Sequence, residues 1–267
     1  MSTKQMVATA DQAFAGRAYD SGLYGVIKSK GRPIEFLTKV DLGTPVIAVA
    51  DALIKAATST EMPNAATKTY VPGTVNSPLD SASLPSTTTI QTVDGAKLVW
   101  VLDVPRNLTA AVTHGSSVVA CTITVTGYDQ YRAKMVKTMA IAATGTSQAG
   151  VTAAAFKYIA SIAITSAGNA TTNTCNIGFG DVLGLPYVLA EKSDLLQAWF
   201  DDAVESSHTV VAAVTTSPAT ATTGDVRGTI DFNGTLNGSK KCKVWMHIAD
   251  AAAATARGLL GVAQYAG

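Results

Sequence analysis

Val118-Val-Ala-Cys-Thr-Ile-Thr-Val-Thr126, followed by Gly127-Tyr-Asp-Gln130, decides the class of this chain. Val119, Cys121, Ile123 and Val125 recur at every second position, with Ala or Thr between them. Period two places such residues on one face of a half-buried strand. The Gly-Tyr-Asp-Gln segment then reads as a hairpin turn, and residues 131–141 return as a long strand. Outward from this hairpin the same texture persists. Residues 97–103 read as a strand, and 107–113 as another after a corner at Pro105-Arg106. Residues 142–150 read as a polar loop. A bend and then a strand are expected over 155–165, and a strand over 174–179. The glycines of Gly178-Phe-Gly180-Asp-Val-Leu-Gly184 read as turn formers leading into a strand that ends at Leu189. Beyond them, 195–201, 208–214 and 226–232 read as strands. The last ends at Asn233-Gly234 and is expected to pair with 243–248. Turns every 8–12 residues indicate a sandwich or barrel. The expected fold is mainly β, a β-sandwich or jelly-roll-like barrel, with little helix.

Two segments lean toward helix, the first only slightly, since at period two Ile47, Val49 and Leu53 also share a face that Asp51 and Lys55 spoil. Val46, Val49, Leu53 and Ala57 lie at helical spacing, with Pro45 suited to a first helical position and Thr44 to the N-cap before it. Residues 251–260 are Ala-rich and close at Gly261.

Residues 1–90 are expected to be an N-terminal arm and extended strap, and 91–267 a β-sandwich core domain. Over 11–24 the chain carries Phe14, Arg17, Tyr19 and Tyr24 among small residues. An arm docking on a neighbour and a terminal segment folded on its own domain fit equally well. Pro63, Pro72, Pro78 and Pro85 punctuate 58–89 and forbid helix there. A long extended connection is expected, with a short strand at 67–71. The arm and strap positions Phe14, Arg17, Tyr19, Tyr24, Pro72, Pro78 and Pro85 are the candidate contacts between chains.

Composition narrows the function. The 267 residues carry a net charge of +1, with 15% charged and 6% aromatic residues. A typical charged share is about 25%; Ala, Thr, Val, Ser and Gly take its place. No basic face of the kind nucleic-acid binding needs is visible; Lys240, Lys241 and Lys243 read as an exposed hairpin end. No run of about 18 apolar residues could span a membrane, and residues 1–6 lack the apolar centre of a signal peptide. No nucleic-acid or membrane partner is expected. Cys121, Cys175 and Cys242 are odd in number and widely spaced, which argues against a disulfide framework; Cys121 and Cys242 read as small buried hydrophobes. The glycosylation tripeptides at Asn107, Asn169, Asn233 and Asn237 read as chance in a Thr-rich chain.

Chemistry has few candidates. His114, His208 and His247 show no spacing that converges with a carboxylate. Asp201, Asp202 and Glu205 form the one carboxylate cluster and read as a solvated turn. Asp231-Phe-Asn233-Gly234 echoes a calcium loop but lacks its distal Glu. There is no nucleophile elbow and no phosphate loop. No catalytic residue, cofactor or metal is expected.

Several strings carry a resemblance: Leu102-Asp-Val-Pro-Arg-Asn107, Val125-Thr-Gly-Tyr-Asp129, Gly180-Asp-Val-Leu-Gly-Leu-Pro-Tyr187, Asp225-Val-Arg-Gly-Thr-Ile230 and Gly258-Leu-Leu-Gly-Val-Ala-Gln-Tyr265. Over about residues 95–266 the chain resembles capsid decoration, or cement, proteins of tailed bacteriophages, of the short-tailed phage or cyanophage type. The resemblance implies a homotrimer on the capsid exterior of the virion, bound to the major capsid protein between capsomers, and no catalysis. A competing expectation is a fibre or tail-associated β module that binds a host surface glycan, through Trp199 with Asp201 and Asp202 or Trp245 with His247. A hydrolase on a β scaffold fits least, since no acid or nucleophile set converges.

Overall fold

The computed structural model of the protein describes residues 36–54, 62–72, 89–93, 97–166, 168, 173–214 and 224–248. Regular structure among them is nearly all strand; the helical element is a single 3₁₀ turn at Lys192–Asp194. The expected hairpin is present. β6 (Cys121–Tyr128) and β7 (Lys134–Ile141) pair antiparallel from Cys121↔Ile141 to Tyr128↔Lys134. β7 starts later than expected because residues 129–133 are used by the turn. There Asp129 Oδ1 accepts the Tyr131 and Ala133 N–H groups, both at 2.8 Å.

β9 (Phe156–Ser166) lines the other edge of β6. It also pairs with β5 (Lys97–Thr113), the longest strand at 17 residues. β5 corrects the expected corner at Pro105-Arg106: one strand runs through it. The β5–β9 register slips between Val101 and Arg106. Pro105 lies in that irregularity, where a missing N–H costs no regular ladder bond. Before the slip β5 lies between β4 (Thr89–Val93) and β9; after it, between β8 (Ser147–Val151) and β10 (Thr174–Gly184). One strand thus serves both halves of an 11-stranded sheet. The halves close on one core. Ile123, Met139 and Ile162 come from the first half, Val112, Ile177 and Phe179 from the second. β8 meets β7 at Gly150, whose Cα faces the Met139 and Ile141 side chains. Trp100 and Phe156 are fully buried here, each such burial contributing about 1.5–3 kcal/mol.

Other expectations are corrected as well. Residues 49–54 form strand β2 (Val49–Ile54), not helix, and pair with β10. Ala52, Leu53 and Ile54 are all buried, which a one-faced helix would not do. Residue 46 ahead of it is clamped. Val46 N–H donates to Asp103 Oδ2 at 2.8 Å, and Val46 O accepts from Arg106 Nη2. The β10 glycines are not turn formers. A Cβ on Gly178 would lie 1.8 Å from Val49 O, and one on Gly180 2.4 Å from Asn107 Oδ1. They let β2 and Asn107 approach a strand that continues, with register slips on either side of Phe179, to Gly184, and residues 187–189 are not strand. The polar stretch 142–150 contains most of β8.

A second sheet has the order β1-β15-β11-β12, from β1 (Phe36–Asp41), β15 (Cys242–Ile248), β11 (Leu195–Phe200) and β12 (Ala203–Glu205). β15 therefore pairs with β1 and β11 rather than with the strand around 226–232. That strand is short, β14 (Thr229–Asp231), and joins β13 (Thr209–Val211) and β10. The inner face of the second sheet, with Val40, Ala198, Val244 and Met246, packs on Leu183, Leu189, Ile230 and Phe232 in a second core. Within residues 1–90 the described parts give strands: β1, β2 and the expected short strand, β3 (Thr67–Tyr70), which pairs with β9. Pro72 is buried within the chain. Phe14, Arg17, Tyr19, Tyr24, Pro78, Pro85 and the Ala-rich stretch 251–260 lie outside the described residues.

Candidate interaction face

The two tryptophan sites that the sequence offers as alternatives occupy one surface. Alternation along β15 turns Cys242, Val244 and Met246 inward and Lys243, Trp245 and His247 outward. Cross-strand pairing extends that outer face. Lys39 lies opposite Trp245, Trp199 opposite Lys243, and Val204 opposite Trp199. Directly paired residues share a face, so Leu37, Trp245, Trp199 and Val204 cross all four strands on the outside. Leu37 is 55% exposed, Val204 61% and Trp245 37%. The indoles meet edge to face, with centroids 5.0 Å apart at 69°, the arrangement that aromatic quadrupoles favour. Lys39 Nζ stands 5.7 Å from the Trp199 ring centroid, within cation–π reach.

The carboxylates are placed by a tight turn. Asp201 and Asp202 have φ of 54° and 62°, and Phe200 pairs with Ala203 across them. A two-residue loop with both φ positive suits the twist of a hairpin, and Asp tolerates that conformation. Asp202 Oδ1 accepts from Lys243 Nζ at 2.5 Å. This hydrogen bond and the charge behind it hold Asp202 below its ordinary value and Lys243 above its own. Asp202 is open to water, so the pair adds little stability. Its effect is to fix the Lys243 ammonium beside Trp199.

The remaining chemistry-bearing residues are dispersed. His114 Nδ1 accepts the Ser116 and Ser117 N–H groups and closes its own turn. His208 precedes β13, and His247 lies on the outer face. Among the described residues no group of three or more His, Cys, Asp or Glu could hold a metal ion. A cleft of about 340 Å³ opens between the two sheets, lined by Asp41, Gly43, Asp103, Pro105, Lys157 and Pro186. Its ammonium is engaged: Lys157 Nζ donates to the carbonyls of Leu102 and Asp103 at 2.6 and 2.9 Å, closing the bend of β5. Cys121, Cys175 and Cys242 are free thiols and buried. Burial pushes Cys121 up to about 11 and the other two to about 12.

A buried charged cluster escaped sequence reasoning. Arg227 Nη1 donates to Asp129 Oδ2 at 2.6 Å. Asp225 accepts the Ala155 and Arg227 N–H groups at 2.9 and 2.8 Å, and Lys137 lies within its field. Burial raises Asp225 and lowers Lys137 from their ordinary values. Two cations and two carboxylates thus tie residues 225–227 to the β6–β7 hairpin and to the start of β9. The visible signal is Lys137 itself, on the parity of Met135, Met139 and Ile141. No protein-family model matches this chain, and no curated protein and no solved structure is similar enough to match it.

Proposed function

We propose that the protein is a structural component of a phage particle, binding the capsid exterior as an oligomer and stabilising the shell by bridging capsomers. One observation carries this reading: a rigid β frame turns an apolar, tryptophan-centred sheet face to the outside. Contiguous exposed apolar surface of this kind marks contact with other macromolecules. The buried pairs Arg227–Asp129 and Arg106–Asp103 are engaged within the fold, which leaves the tryptophan face as the feature offered to a partner. The resemblance of residues 95–266 to capsid decoration proteins supplies the partner, the major capsid protein, and the trimeric state. Bridging works by contact area summed over many copies, each raising the cost of separating neighbouring capsomers under internal DNA pressure. Light scattering is expected to give a trimer mass, and particles stripped of the protein to release DNA at lower temperature than decorated ones. Equal heat stability of the two kinds of particle overturns the proposal.

The second reading, a module binding a host surface glycan, is favoured by the same Trp199–Trp245 pair with Asp202 beside it. It requires retention on a host polysaccharide.

A further inference from the structure

We infer that the outer face of the four-stranded sheet is a docking surface for a protein partner whose own surface is apolar at the centre and acidic around it. The inference deepens the capsid reading, and rests on it only for the identity of that partner.

The shape comes first. Leu37, Trp245, Trp199 and Val204 form a stripe across every strand of the sheet. A sugar site needs one or two rings with convergent polar groups. An aliphatic residue at each end of the stripe, both more than half exposed, instead extends the apolar area toward that of a protein hot spot with a polar rim.

Charge comes second. Lys39 and Lys243 stand beside Trp199, and Lys241, whose carbonyl accepts the Asp201 N–H, lies just before β15. Lys243 is paired with Asp202, and Asp41 is the other carboxylate acting on it. Lys39 and Lys241 form no direct ion pair among the described residues, although both act on Asp202 at longer range. A carboxylate-bearing partner completes them and is steered to the face; a basic one is repelled.

The other occupants fit worse. Residues 1–35 carry five basic and three acidic residues, and 249–267 one of each, so neither terminal segment brings surplus carboxylates. A second copy brings the same three lysines with Asp41, Asp201 and Asp202, and so no surplus of carboxylates either. Area also argues against a free dimer. Four strands about 4.8 Å apart and six residues long give a face of roughly 400 Å². A stable interface takes about 800 Å² per partner. A single contact of this size is weak and becomes firm when several copies engage one repetitive surface.

The test uses the full chain and its own tryptophans. Trp100 is fully buried and stays silent, whereas Trp199 and Trp245 report on the face. Tryptophan-selective fluorescence is followed on titration with a random Glu–Tyr copolymer, with polyglutamate and with polygalacturonate. The expected result is a saturable change with the Glu–Tyr copolymer, weaker with polyglutamate and weaker again with polygalacturonate, and declining with added salt. The double variant Lys39→Glu, Lys241→Glu is expected to bind the copolymer roughly tenfold less tightly. Its unfolding midpoint should not move, because both side chains are exposed. Leu37→Thr with Val204→Thr, which keeps strand-forming residues, should remove the copolymer's advantage over polyglutamate. Polygalacturonate binding as tightly as the copolymer makes the face a saccharide site and overturns the inference. So does an unchanged affinity in the double charge variant, or no response to any of the three. No particle enters this experiment, so its failure is distinct from a failure of the capsid reading.

Discussion

Asp129 and Arg227 meet at 2.6 Å in the interior, 98 positions apart in the chain. Both are almost inaccessible, so each depends on the other for the charge it lost from water. Removing one partner of such a pair costs about 3–5 kcal/mol; here Asp225 still faces Arg227, while the Tyr131 and Ala133 N–H groups lose their acceptor. Asp129→Ala is expected to lose that much in urea unfolding; a loss of less than about 1 kcal/mol would place the pair in water. The thiols give a pH signature. Burial, and then the nearby Cys121, push Cys175 from 9.0 up to about 12. Between those values the folded chain keeps a proton that the unfolded chain releases, so stability contributed below pH 9 is lost as pH rises. Cys175→Ala removes this titration. The advantage of the native protein over the variant should therefore shrink from pH 9 toward 12, and a difference constant with pH contradicts the assignment. At this scale the sequence is only partly legible. Lys137 stands openly on an apolar parity, but nothing local says that its compensating carboxylate comes from residue 225. The pairing of Trp199 with Trp245 was equally hidden, since it depends on which strands become neighbours.

Among the elements, legibility follows the number of buried faces. β6 has one buried face and alternates, so its period could be read directly, and its turn to within a few residues. β2 buries three consecutive residues, which erases the alternation and leaves a spacing that also fits a helix. β8 is the opposite case. Ser147-Gln-Ala-Gly-Val151 has hardly any apolar residue to mark it, and it is a strand because β5 offers an edge. In β5 the proline misleads for a physical reason: Pro punctuates chains in general, but here it lies where the ladder already slips. The β10 glycines mislead similarly, since close backbone approach and turning both call for glycine. Gly178→Ala tests the difference. Its Cβ would collide with the Val49 carbonyl, which is backbone and cannot rotate away. A loss of roughly 1–3 kcal/mol is expected, as for overpacking elsewhere. Gly115→Ala, with nothing within 4 Å, should be near neutral. Equal unfolding midpoints for the two variants would show that β2 does not lie against β10.

For the whole molecule, strand content was readable and strand order was not. Sequence neighbours suggested that 226–232 and 243–248 pair, yet the chain sends β15 back to β1 and β11. That choice builds the second sheet and, with it, the outer face on which the proposed docking rests. It also sets an order of events. Phe36 lies opposite Ile248, so the first described strand waits for the last. During synthesis from the amino end, β1 emerges long before its neighbour exists. No residue of β1, β11 or β15 belongs to the first core, so that core has all its residues while the small sheet is still missing its middle strand. A chain interrupted before residue 242 keeps every side chain of the large core but lacks the sheet face on which the proposed docking rests. On that proposal only finished molecules present the face, and the closing of this sheet acts as a proofreading step on translation.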